Sequence, residues 1–230
     1  MLPTLIAAAE NRRVHAAELL AAAMASEPGQ EFSAEGQTLR RVERTPETAS
    51  HLWAADLSTG KRRDLKGEER RAFWAWAALE VLRLTGIRVE ELTELPHHSL
   101  IQYRLPTTRE LVPLLQIAPS KTDAERLLVI SPELADVLAA IVTRIREPGG
   151  GIALVAAYDH GEKIWNPPMP LLFQWHWRLE DRPLSPAAIR RLLNDTLAST
   201  EVASGRWCKR ATSLGFVLNR PKFVRKDPRP

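Results

Sequence analysis

The chain has 230 residues, 44% hydrophobic and 26% charged, an ordinary globular composition long enough for one large domain or two small ones. No apolar run approaches the roughly 18 residues a membrane span needs, and residues 1–13 lack the basic, apolar and small-residue order of a signal peptide, so the expectation is a soluble, cytoplasmic protein with no membrane partner. The single cysteine, Cys208, can form neither an internal disulfide nor, alone, a structural zinc site.

A net charge of +4 suggests a nucleic-acid partner until the charges are placed. Residues 201–230 hold eight basic residues (Arg206, Lys209, Arg210, Arg220, Lys222, Arg225, Lys226, Arg229) against Glu201 and Asp227, a net of +6, which leaves −2 on residues 1–200. The main body must therefore bind nucleic acid, if at all, with a local patch, because its overall charge does not supply the counterion-release contribution.

In chain order, residues 5–24 are Ala- and Leu-rich and read as a helix without a strong partner, ending at Ser26-Glu27-Pro28-Gly29. Residues 31–63 are polar, with Thr45-Pro46 and Ser58-Thr59-Gly60 turns and a Lys61-Arg62-Arg63 cluster, and read as an irregular connection. Residues 65–84 hold Phe73, Trp74, Trp76, Leu79, Val81, Leu82 and Leu84, with only Glu80 and Arg83 polar after Arg71, and that breadth predicts a buried helix, the tryptophans being core residues. Gly86 then stands where a helix ends in a left-handed residue, and residues 89–95 restart a short helix, which puts Thr85-Gly86-Ile87-Arg88 at a helix-to-helix corner.

Three apolar runs follow, at 100–105, 111–117 and 127–130, separated by turns and predicted as strands. Pro113 places the second of them at an edge or a bulge. Ser131-Pro132 opens a helix with Leu134, Val137, Leu138, Ile141 and Ile145 at helical spacing, and Pro148 with Gly149–Gly151 stops it. Gly149–Gly151 is a linker, since a phosphate-cradling loop joins a strand to a helix and carries a lysine. His97 and His98 are adjacent and have no completing ligand set. A second Ser-Pro start, Ser185-Pro186, leads a helix with Ile189, Leu192, Leu193 and Leu197 on one face.

The order helix, Gly86-Ile87-Arg88-Val89-Glu90-Glu91-Leu92 corner, small sheet with Lys121 in its second turn, and amphipathic helix resembles the catalytic domain of the tyrosine recombinase (phage integrase) family. The likeness spans about residues 66–199 and is closest over residues 82–95 and 118–138. It implies a mainly α protein with a small three-stranded antiparallel sheet (α+β), an incomplete recombinase-like catalytic domain. It also implies site-specific DNA recombination or integration, DNA as partner, oligomeric assembly on DNA, and no metal or cofactor. On the resemblance Arg88 takes the place of the family's first active-site arginine, Glu91 its accompanying acidic residue, and Lys121 the strand-turn-strand lysine. The chemistry suits these residue types: a pentavalent phosphorane gathers negative charge on its non-bridging oxygens and needs preorganised donors. A guanidinium supplies a rigid, permanently charged fork, and a lysine on a turn can act as general acid for the leaving 5′ oxygen.

The pattern breaks after the helix at 185–199. The family's His-x-x-Arg segment and tyrosine nucleophile do not follow; the only tyrosines are Tyr103 and Tyr158, and no histidine follows His176. The expectation is a truncated, inactive recombinase, or alternatively a non-catalytic DNA-binding or regulatory fragment; an unrelated helical interaction protein is a third reading. The expected organisation is an N-terminal helix and linker over 1–64, a truncated catalytic domain over 65–199, and a basic, disordered tail over 200–230. Truncation should leave parts of Ile189, Leu193 and Leu197 uncovered.

Overall fold

A computed structural model of the chain describes residues 2–43, 51–118, 125–159, 163–177 and 180–199. Helix α1 (Leu2–Ala25) buries Ala9, Ala16, Leu19 and Ala23 along one face and runs against the central helix, so it has the partner its sequence did not announce. Ser26 closes it by donating its hydroxyl to the Ala22 carbonyl at 2.8 Å.

The polar stretch after α1 is a four-stranded antiparallel meander, β1 (Glu31–Ala34), β2 (Gln37–Arg41), β3 (Trp53–Asp56) and β4 (Arg62–Asp64), paired in that order. Glu35 (φ 53°) and Gly36 (φ 70°) form the tip of the first hairpin, the two successive left-handed positions that a right-twisted two-residue hairpin requires. In the turn between β3 and β4 the Asp56 carboxylate accepts from Ser58 Oγ (2.6 Å), Ser58 N (2.8 Å) and Thr59 N (3.2 Å). The inward residues Phe32, Leu39 and Ala54 join Leu19, Ala23 and Leu65 in a small core. The expected mainly α fold with one small three-stranded sheet is thereby corrected, and so is the irregular connection over 31–63. β1, β2 and β3 bury one apolar residue each (Phe32, Leu39 and Ala54) and β4 none, too thin an alternation to read as a sheet without the helix that covers it.

Helix α2 (Leu65–Thr85) begins at Asp64, whose side chain accepts from Gly67 N at 3.1 Å. It is buried on most sides from Ala72 to Leu82 because α1 and two later helices pack around it. Trp74 is 1% exposed, and half-buried Trp76 lies beneath the Arg13 guanidinium of α1, 4.6 Å from its ring centroid. The corner leads into α3 (Val89–Thr93), a 3-10 turn at His97–Ser99, and the strands β5 (Leu100–Arg104), β6 (Leu111–Ile117) and β7 (Arg126–Val129).

The three strands pair antiparallel in the order β5-β6-β7, which makes β6 central. Pro113 is therefore neither at a sheet edge nor in a bulge: it pairs with Gln102, and its carbonyl accepts from Ile130 N at 3.0 Å just past the end of β7. The missing N–H falls on the side where the ladder is ending, so only a terminal bond is forgone. Helix α4 (Pro132–Ile145) is capped by Ser131, whose Oγ accepts from Leu134 N at 3.3 Å. Two hairpins that the sequence did not reveal follow, β8 (Tyr158–Asp159) with β9 (Ile164–Trp165), and β10 (Gln174–Trp177) with β11 (Glu180–Pro183).

Helix α5 (Pro186–Ala198), capped by Ser185, packs on α2 and touches α1 and α3. Ile189 is 0% exposed and so is covered, contrary to expectation, whereas Leu193, packed against the main core, and Leu197 are each half-buried. The exposed apolar residues lie elsewhere: Tyr103, Leu127 and Val129 share the outer face of the β5-β6-β7 sheet, Val129 at 70% exposure. Residues 200–230, expected to form a disordered tail, are outside the described residues.

Candidate functional site

The corner that carries Arg88 is built from backbone chemistry. At the end of α2, Thr85 Oγ1 donates to the Val81 carbonyl at 2.5 Å and Gly86 N to the Leu82 carbonyl at 2.9 Å. Gly86 adopts φ 67°, a left-handed conformation that costs glycine nothing sterically and ends the helix there. Ile87 and Leu92, 2% and 0% exposed, then pin the chain on either side into the main core. Between them Arg88, at φ −80° and ψ 156°, is the N-cap residue of α3 and is exposed. An arginine between two buried anchors is presented to solvent from a fixed backbone.

Glu91 lies beneath it, its side chain only 5% exposed. Its two carboxylate oxygens have separate partners: Oε2 accepts from the Arg88 backbone N–H at 2.8 Å, and Oε1 from Arg126 Nη2 at 2.5 Å. The first bond is half of a capping box, in which a third-position glutamate reaches back to the N-cap amide. The second supplies the counter-charge without which burying a carboxylate is costly. Glu91 is thus placed to hold the corner. Its neighbour Glu90 pairs with Arg190 of α5, so arginine side chains from β7 and from α5 both bind α3.

Lys121 is outside the described residues. The stems of its turn are described: Ile117 pairs in register with Arg126, and Gln116 Nε2 donates to Glu125 Oε1. The end of this turn is therefore joined by Arg126 directly to Glu91.

Sequence reading did not pick out Arg126 or Arg190. A usable signal existed for the first. Arg126 has the same strand parity as Leu128, on the face where Ile117 and Leu115 are buried, and a charge at an inward register position needs a partner. No comparable signal marked Arg190, because a polar residue on an amphipathic helix has many solvent-facing explanations.

The remaining candidates fall elsewhere. His97 is half-buried and His98 exposed, and no group of three or more His, Cys, Asp or Glu side chains suited to a metal occurs among the described residues. Tyr103 is on the outer face of β5 and Tyr158 stacks edge-on against Trp165 at 5.2 Å in the β8-β9 hairpin, elements separate from the Arg88 corner. No helix among the described residues is long and apolar enough to cross a membrane. No family model, curated protein or solved structure matches the chain.

Proposed function

We propose that the chain binds DNA through a recombinase-like half-site centred on Arg88, with Lys121 as a second cation and Glu91 as the group that holds them in register. The observation that carries this reading is the division of Glu91 between the Arg88 amide and Arg126, which joins the arginine corner to the strand that follows the lysine turn. The element order over residues 65–145 supports it. In this reading Arg88 donates to a backbone phosphate as a planar fork, and Lys121 contributes a point charge from its turn. The basic residues of 206–229 add sequence-independent phosphate contacts. No tyrosine follows Tyr158 and no histidine follows His176 in these 230 residues, so in this reading these residues bind a phosphodiester without themselves supplying the tyrosine nucleophile of the family they resemble.

The test is duplex binding followed by fluorescence anisotropy across a salt series. The log–log slope flattens by about 0.9 for each phosphate that is no longer neutralised. Arg88→Ala is therefore expected to flatten it by about that much and to weaken binding about tenfold, the lower end for a hydrogen bond to a charged group. An Arg88→Ala protein with unchanged slope and affinity would remove the half-site. The non-catalytic alternative, in which the basic segment alone binds, is then the reading that survives.

A further inference from the structure

We infer that Arg126 is the positioning residue of this site, a clamp that holds Glu91, and through Glu91 the backbone of Arg88, against the root of the lysine turn. Arg126 opens β7 opposite Ile117, which is 1% exposed, on the face of the sheet that looks into the core. The Arg126 side chain keeps 41% of its exposure while its end group reaches a carboxylate that is only 5% exposed, which belongs to a different element 35 residues earlier in the chain and needs a counter-charge there. Among the described residues Arg126 Nε is buried without a hydrogen-bond partner, and the end group donates to Glu91 through Nη2.

Glu91 divides its two oxygens, one on the Arg88 amide and the other on the cation. Removing the cation leaves a nearly buried carboxylate whose easiest relief is to rotate toward water, and that rotation releases the Arg88 N–H. The N-cap amide of α3 would then be without its partner, and the arginine corner would no longer be tied to the start of β7. That Arg88 meets DNA rests on the reading above; that Arg126 sets the Arg88 backbone does not.

The experiment uses the full chain and amide hydrogen exchange, resolved at the Arg88 N–H. Arg126→Gln and Glu91→Gln should each speed that exchange about tenfold or more. In Glu91→Gln one of the two accepting oxygens becomes an NH2 group that cannot accept, so the two donors, now on separate oxygens, cannot both keep their bonds in the present geometry. Arg126→Lys, which keeps the charge but not the fork, should recover part of the protection. Amides of Leu39 and Ala54 in the distant four-stranded sheet report global folding and should not change. Unchanged exchange at Arg88 in a folded Arg126→Gln protein would overturn the assignment, as would an increase shared equally by Leu39 and Ala54.

A second arm measures duplex affinity for Arg88→Ala, Arg126→Gln and the pair. A positioning role predicts that the double variant binds no more weakly than Arg88→Ala alone. Additive losses of affinity would mean that Arg126 touches phosphate itself, and the positioning assignment would fall. If the unaltered chain does not bind duplex at all, the DNA reading fails and the exchange result alone decides the role of Arg126.

Discussion

Truncating Leu39 to alanine tests whether the four-stranded sheet is part of the protein's cooperative structure. Leu39 sits mid-strand in β2 at 0% exposure, in one cluster with Leu19, Ala23, Phe32, Ala54 and Leu65. The substitution removes three carbons, about 2.4 kcal/mol at roughly 0.8 kcal/mol per buried CH₂. Incomplete collapse of the surrounding residues brings the loss to about 3 kcal/mol, within the roughly 2–5 range for such changes. Helix α1 contributes Leu19 and Ala23 to this cluster and also packs along α2, so the loss should reach the whole molecule as one transition. At about 2–4 °C per kcal/mol for a chain of this size, the melting temperature should fall by about 6–12 °C. Calorimetry with circular dichroism would measure it, with Met24→Ala, 66% exposed on the same helix, as a control expected to change stability by less than about 0.5 kcal/mol. A main transition that stays in place while a small separate one shifts would refute the reasoning, because the sheet would then melt as an independent appendage.

Deleting residues 206–230 removes all eight basic residues of the C-terminal segment, so the salt slope of duplex binding should flatten by at most about 7, and binding that remains should still respond to Arg88→Ala. Complete loss of binding would assign the affinity to that segment alone. If the half-site reading above holds, suicide DNA substrates should give no covalent adduct, since a catalytic unit without its nucleophile is slower by on the order of a millionfold; a phosphotyrosine trapped at Tyr103 or Tyr158 would contradict this. The Asp56 carboxyl is held down at about 2 by hydrogen bonds from the Ser58 hydroxyl and the Ser58 and Thr59 amides. Its folded value lies below the roughly 3.9 of a free aspartate, so its contribution to the β3-β4 turn is present above about pH 4 and lost as pH falls through about 2. A carbon-detected titration of Asp56 with a midpoint near 4 would show that those bonds do not form.

The main-body helices were legible in the sequence because each carries its own local signals. Ser131-Pro132 and Ser185-Pro186 are start signals whose hydroxyls do accept from Leu134 N and Ala188 N, and Gly86 is a stop signal that does adopt the left-handed conformation. The strands at 100–104, 111–117 and 126–129 were legible for a similar reason: short apolar runs between turns are locally encoded. Tertiary structure alone decided the rest. Arg126 and Glu91 are 35 positions apart, and no local pattern can state that a charge on one strand will meet a carboxylate on a distant helix. The place of Pro113 in a central strand depended on where a neighbouring strand stops, and the burial of Ile189 on helices far away in the chain. The four-stranded sheet shows the same limit most plainly. With one buried residue or so per strand, its alternation has meaning only once α1 lies across it, because a half-buried strand is defined by what covers its apolar side.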